Sequence, residues 1–156
     1  GGIMSQNYGK YQKCFERSVK HIFEHFLGDP SIHSVVESQR ARKNHSVWVE
    51  VDGSFNGEVH LCFPESTMKE ITALVAQGET GKSAKQIIHD VAGELGNMIT
   101  GTFANQLQYL NHTIRLCAPE FEEDPIPLKT FYDNVSLSFN SRFGGFDAEV
   151  YFKIES

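Results

Sequence analysis

Apolar residues in this chain recur with either a helical or a strand-like period. Segments with the strand-like period follow one another in pairs and do not alternate one by one with helical segments. A helical period predicts helices over about 8–27, 64–76 and 83–110. Strand-like patterns cover about 32–39, 45–51, 58–63, 113–117, 135–140 and 146–154. Since short glycine-containing turns join the strands of 45–63 and 135–154 into hairpins, we expect an α+β fold. Its sheet should be largely antiparallel with about six strands, carrying two long helices and one short helix.

Length and charge restrict the class of protein further. A chain of 156 residues that is 40 % hydrophobic is typical of one domain with a sizeable core. The net charge of −6 argues against nucleic acid as the main partner, because phosphate binding needs a basic surface. No apolar stretch is long enough for a membrane span and no signal peptide is recognisable, so we expect a cytoplasmic protein. Residues Gly1–Ile3 resemble a cloning remnant before Met4, which leaves one predicted domain over 4–156.

Cysteine and histidine spacing gives little support for metal chemistry. Cys14, Cys62 and Cys117 fit neither a disulfide framework nor a paired-cysteine metal site, and we expect them to be small buried side chains. His21 and His25 match the H-x-x-E-H pattern of inverted zinc proteases. Zinc would also need a third protein ligand, for which the sequence marks no candidate. A zinc hydrolase is therefore a distant alternative, and we expect no metal bound by this chain.

The predicted long helix carries one polar stripe. Asp90, Glu94 and Asn97 are spaced four and three residues apart, so they project from the same side of the helix. The other side is apolar and consists of Ile88, Val91, Leu95, Met98, Ile99 and Phe103. By itself, such a stripe is most simply the solvated face of an amphipathic helix.

Three glycines interrupt the same helix. Gly93, Gly96 and Gly101 each cost about 1 kcal/mol of helix stability relative to alanine. Glycine is often needed where another surface must approach the backbone closely. We expect that surface to be a neighbouring helix or another protein.

The polar stripe and a distant proline together resemble the signature of the CheC/CheX/FliY family of chemotaxis phosphatases. That signature has Asp or Ser, then Glu four residues later, Asn three residues after the Glu, and Pro some twenty-two residues further on. Asp90, Glu94, Asn97 and Pro119 fit this pattern. The resemblance favours a functional stripe over a merely solvated one, and it implies the CheC-like fold.

One departure from the family pattern indicates which branch this chain resembles. Two-site members carry a second Glu-x-x-Asn motif on the first helix. Here Glu16 is followed by Val19 at the position that would need Asn. The chain is therefore similar to the single-site CheX-like branch, whose members pair as homodimers through their sheets, and the resemblance implies a homodimer.

The resemblance implies that the protein dephosphorylates a CheY-like response regulator. The regulator would supply the phosphorylated aspartate, its Mg²⁺ and a lysine, so this chain would need no cofactor of its own. Asn97 is implied to orient the attacking water, and Glu94 to pair with the regulator's lysine. The implied accessory or partner-facing positions are Asp90, Gly93, Gly96, Gly101 and Pro119.

The main alternative is a module of the same fold that binds the regulator without catalysis. Motor-switch proteins of the FliM type share the architecture but lack the motif. The intact pair of Glu94 and Asn97 favours the enzyme.

Overall fold

A computed structural model describes the backbone of residues 2–122 and 133–154, and the side chains of residues 8–121 and 133–153. Three helices and seven strands occur within these ranges. In chain order they are α1 (Gly2–His25), β1 (His33–Val35), β2 (Asn44–Gly53), β3 (Phe55–Pro64), α2 (Glu65–Val75), α3 (Ala84–Gln108), β4 (Ile114–Leu116), β5 (Glu120–Glu122), β6 (Asp133–Ser141) and β7 (Gly144–Ile154). The predicted α+β class, with two long helices and one short helix, is confirmed.

The strands form one sheet in the order β1-β6-β7-β3-β2, and every pairing among the described strands is antiparallel. The short strands β4 and β5 both pair with the remaining edge of β2, at 51–53 and 46–48 respectively. Alternate residues of β2, such as Val47 and Val51, point into a core that they share with Leu95 and Ile99 of α3. The sheet therefore supports α3 directly.

A capping box formed by Ser83 and Gln86 stabilises the start of α3. The Ser83 backbone N–H donates to the Gln86 side chain at 3.0 Å, and the Gln86 backbone N–H donates to the Ser83 hydroxyl at 3.2 Å. This reciprocal capping box satisfies two amide groups that the first helical turn cannot bond internally. The helix that follows buries most of the predicted apolar stripe, namely Val91, Leu95, Ile99 and Phe103, and half-buries Ile88 and Met98.

Two expectations about individual side chains are wrong. The helical period of residues 8–27 predicts one apolar side formed by Phe15, Val19, Ile22 and Phe26. The first three are buried, but Phe26 is 43 % exposed, since it follows the last residue of α1. Cys117 is exposed instead of buried, since it follows the last residue of the short strand β4.

The acidic, proline-containing sequence of residues 120–127 favours a loop, but the segment begins with strand β5. Its residues pair with β2 in the register Glu120 to Trp48, Phe121 to Val47 and Glu122 to Ser46. The edge of β2 beyond β4 offers unpaired backbone groups, and three residues suffice to occupy them. Residues 123–127 lie outside the described residues.

Candidate functional site

The predicted polar stripe lies on one exposed side of α3 and borders a shallow groove. Asp90, Glu94 and Asn97 are all exposed, and Pro119 is half-buried beside them. We call this depression of about 490 Å³ the α3 groove; it is lined by His89, Asp90, Gly93, Glu94, Asn97, Met98, Pro119 and Phe121. The fold thus brings the distant proline next to the three polar residues of the helix.

Two of these polar groups have no partner within the described part of the chain. Neither the Glu94 carboxylate nor the Asn97 carboxamide forms a hydrogen bond or ion pair with another described residue. They lie one helical turn apart on a rigid support. Both groups are therefore available to a second molecule without breaking an internal contact.

Asp90 differs because it is already engaged. Its carboxylate accepts a hydrogen bond from the Lys82 ammonium at 2.9 Å, and the side chains of Lys82 and Asp90 are 48 % and 59 % exposed. The bond to Asp90 raises the pKa of Lys82, and Glu79, 3.9 Å from the ammonium, acts in the same direction. Lys82 lies in the turn before the helix and outside the helical period, so the sequence does not predict its contact with Asp90.

An aromatic pair forms one wall of the α3 groove. The rings of Phe121 on β5 and His89 on α3 stack with centroids 4.4 Å apart and planes 4° apart. A Cβ atom added to Gly93 would lie only 3.0 Å from Cζ of Phe121, so the glycine lets the ring reach the helix backbone. Neither ring was predicted as part of the site. The sequence marks Phe121 only as an isolated apolar residue two positions after Pro119.

The other two predicted glycines face the sheet. A Cβ on Gly96 would meet the side chains of Val49 and Val47 at 3.3 and 3.4 Å, and one on Gly101 would lie 4.0 Å from Leu116. Close approach to α3 does occur at Gly93 and Gly96, but the approaching surface is the chain's own sheet. The expectation of a neighbouring helix or another protein at these glycines therefore needs correction, and Gly96 and Gly101 do not line the groove.

The described side chains of the first helix, residues 8–25, include no second Glu-x-x-Asn motif. Val19 is fully buried in the core, so the position that would carry a second Asn is closed to a partner. The rings of His21 and His25 lie 4.5 Å apart. No group of three or more His, Cys, Asp or Glu side chains among the described residues could hold a metal ion. Within the same residues, no helix has the length and apolar character of a membrane span.

Comparison with known proteins points to one family. The family model described as chemotaxis phosphatase CheX matches residues 45–123, just over half of the chain. The matched span includes Asp90, Glu94, Asn97 and Pro119. No curated protein sequence matches the chain.

Solved structures share the fold at low sequence identity. CheX from Desulfovibrio desulfuricans is 20 % identical, with a TM-score of 0.73 over 93 % of this chain and 99 % of that chain. CheX from Vibrio vulnificus is 20 % identical, with a TM-score of 0.74 over 92 % and 96 %. A chain of the CheX–CheY–BeF3–Mg²⁺ complex from Borrelia burgdorferi is 18 % identical, with a TM-score of 0.74 over 92 % and 97 %. With the family match covering the groove, this chain belongs to the CheX family of chemotaxis phosphatases.

Proposed function

We propose that this protein hydrolyses the aspartyl phosphate of a CheY-like response regulator. The observation that carries the proposal is the pair of exposed, internally unpartnered groups, Glu94 and Asn97, one turn apart in the α3 groove. Membership of the CheX family supports a phosphatase. The solved complex of a similar CheX with CheY, BeF3 and Mg²⁺ supports a CheY-like partner.

Asn97 is the group that we assign to the attacking water. Hydrolysis of an acyl phosphate needs little more from the protein than a water held in line with the bond that breaks. A carboxamide both donates and accepts hydrogen bonds, so it can orient such a water. It carries no charge, whereas a carboxylate at the same place would repel the phosphoryl oxygens.

Glu94 is the group that we assign to docking. Its carboxylate lies one turn before Asn97 and faces the same groove. An ion pair with a lysine of the regulator would set the register in which Asn97 meets the phosphoryl group.

The remaining roles would be divided between the two proteins. Mg²⁺ would be held by the regulator, whereas residues of this chain would bind the regulator, orient the attacking water and exclude other water. Asp90 would serve as an accessory contact, and Pro119 would shape the groove. The protein would then act in the cytoplasm, and we expect a homodimer.

The first test is the decay of a phosphorylated CheY-like regulator in the presence of Mg²⁺. Decay is followed for the regulator alone, with the wild-type protein, and with the Asn97→Ala variant. We expect the wild-type protein to accelerate decay and Asn97→Ala to abolish the acceleration. Asn105→Ala is the matched control, because Asn105 is an exposed asparagine on the same helix outside the groove. Equal acceleration by wild type and Asn97→Ala would refute the assignment of the water-positioning group.

The second candidate is a regulator-binding module without catalysis. The exposed Glu94 and the aromatic wall of the groove would serve binding alone equally well. Such a module should bind the phosphorylated regulator and leave its phosphate lifetime unchanged. The decay assay therefore distinguishes the two candidates directly.

A further inference from the structure

We propose that the stacked rings of Phe121 and His89, here called the aromatic platform, form a docking site for an apolar side chain of the response regulator. The inference rests on the proposed function, since it names a second point of contact in the same groove. The platform lies beside Asn97, and its contact would be separate from the ion pair of Glu94.

Phe121 has the exposure that a docking residue needs. Its side chain is 37 % exposed and lines the α3 groove. The other large apolar side chains that are exposed among the described residues lie outside that groove: Tyr8, Phe26, Val36, Leu74 and Tyr109. Large aromatic residues contribute much of the binding energy at protein interfaces when they are buried by a partner.

The platform is held in place before any partner arrives. The ring of Phe121 lies on that of His89, and the missing side chain of Gly93 allows it to touch α3. Its backbone is paired with Val47 of β2. An anchor that is already ordered loses less conformational entropy when it binds.

The position of the platform on α3 relates it to the reacting group. His89, Gly93 and Asn97 follow one another at intervals of four residues, so they form a single row along the helix. The platform covers the first two positions of that row, and Asn97 is the third. A regulator surface that extends from Asn97 along this row by one or two helical turns would therefore reach the platform.

The chemistry of the groove indicates what that part of the regulator is. The platform is an aromatic surface, whereas Glu94 supplies a carboxylate that has no internal partner among the described residues. Asp90 is paired with Lys82, so its charge is largely offset. A complementary partner surface carries one cation opposite Glu94 and one apolar side chain opposite Phe121. A second copy of this chain would instead bring a second Glu94 towards the first.

The test measures binding and turnover separately for Phe121→Ala. Binding is measured with the regulator loaded with Mg²⁺ and BeF3, and turnover with the phosphorylated regulator over a range of concentrations. We expect an affinity loss of about tenfold and a matching rise in KM, with kcat changed by less than about twofold. Phe26→Ala is the matched control, since Phe26 is a phenylalanine of similar exposure outside the groove.

A second variant separates docking from folding. In Gly93→Ala the new Cβ would press on Phe121 at 3.0 Å, while the helix gains intrinsic stability. We expect weaker regulator binding without a lower melting temperature. In the Phe121→Ala background, Gly93→Ala should have a smaller effect on affinity than it has alone, because the displaced ring is then absent. Full additivity of the two substitutions would contradict the platform.

The outcomes distinguish failure of the platform from failure of the proposed function. Unchanged affinity in Phe121→Ala, with Asn97→Ala inactive, would overturn the platform and leave the phosphatase intact. If neither the wild-type protein nor Asn97→Ala accelerates decay of the phosphorylated regulator, while Phe121→Ala still loses binding, the phosphatase is overturned and the platform is supported as part of a binding module. A loss of self-association with unchanged regulator affinity would show that a second copy occupies the platform, and would overturn the inference.

Discussion

At the scale of single residues, the polar side chains of the α3 groove fall into two groups. Some have a hydrogen-bond or ion-pair partner within the chain, and others have none among the described residues. Asp90 belongs to the first group through its ion pair with Lys82. Glu94 and Asn97 belong to the second group, because their side chains form no hydrogen bond or ion pair with another described residue. Substitution of the free residues should therefore change recognition without changing the fold.

Glu94→Gln tests this separation. Removing the charge keeps the size of the side chain, so we expect an unchanged melting temperature. We also expect weaker binding of the phosphorylated regulator and a flatter dependence of affinity on salt, because one ion pair across the interface is lost. Titrations at low and high ionic strength measure both effects. A salt dependence equal to that of the wild-type protein would argue against an ion pair at Glu94.

The local chemistry of these residues could be predicted from the sequence, but their surroundings could not. Helical spacing predicts that residues 90, 94 and 97 share a face. It does not reveal that Lys82 folds back onto Asp90, or that Phe121 lies on Gly93. Both contacts depend on where a turn and a short strand meet α3, which is tertiary information.

At the scale of elements, α3 was predictable because its signals are local. Ser83 and Gln86 mark its start, and a regular apolar stripe marks its buried side. By contrast, β5 has only three residues, with one apolar side chain between two glutamates. Its formation depends on the open edge of β2, more than seventy residues earlier in the chain. The sequence of the strand alone carries almost no signal for it.

The two sheet-facing glycines of α3 should respond oppositely to substitution. Gly96→Leu places new atoms against Val47 and Val49, and we expect a loss of about 1–3 kcal/mol in the free energy of unfolding. At Gly101 the nearest obstacle is 4.0 Å away, so Gly101→Ala should raise that free energy by up to about 1 kcal/mol. Chemical denaturation measures both changes. A stable Gly96→Leu protein would mean that α3 does not pack on β2 as described.

At the scale of the whole molecule, the arrangement of the sheet depends on which hairpin edges meet. The hairpins β2–β3 and β6–β7 were predictable from their turns and patterns. Their junction through β3 and β7 was not, because no local feature specifies which strand of one hairpin lies beside the other. The junction matters because it forms the continuous surface on which the helices pack.

A half-buried histidine joins three distant parts of this arrangement. His112 Nε2 lies 2.8 Å from the hydroxyl of Tyr11 on α1, and Nδ1 lies 3.1 Å from the hydroxyl of Ser54 in the β2–β3 turn. Partial burial lowers the pKa of His112 from its ordinary 6.5. The folded state therefore binds this proton less readily than the unfolded state does.

Stability should consequently depend on pH through His112. Its contribution is fully present above about pH 6.5 and declines as the pH falls towards the lower folded-state pKa. We expect the free energy of unfolding to drop between pH 7 and pH 5, and to drop less in His112→Gln. Denaturation curves across that range provide the comparison. Equal slopes for the two proteins would exclude His112 as a source of the pH dependence.

The capping box that begins α3 has a consequence for how this site can vary. Residues 89–98 of the groove lie on one helix, so the directions of their side chains relative to one another depend only on the rotation of about 100° per residue. One residue inserted between Glu94 and Asn97 would turn Asn97 by about 100° relative to Glu94. The same insertion in the turn at 77–82 would leave that angle unchanged, because the phase is counted from Ser83 onward. The angle between Glu94 and Asn97 is thus fixed within α3 itself, so a change in the length of the preceding turn could move Lys82 away from Asp90 but would not turn Asn97 relative to Glu94.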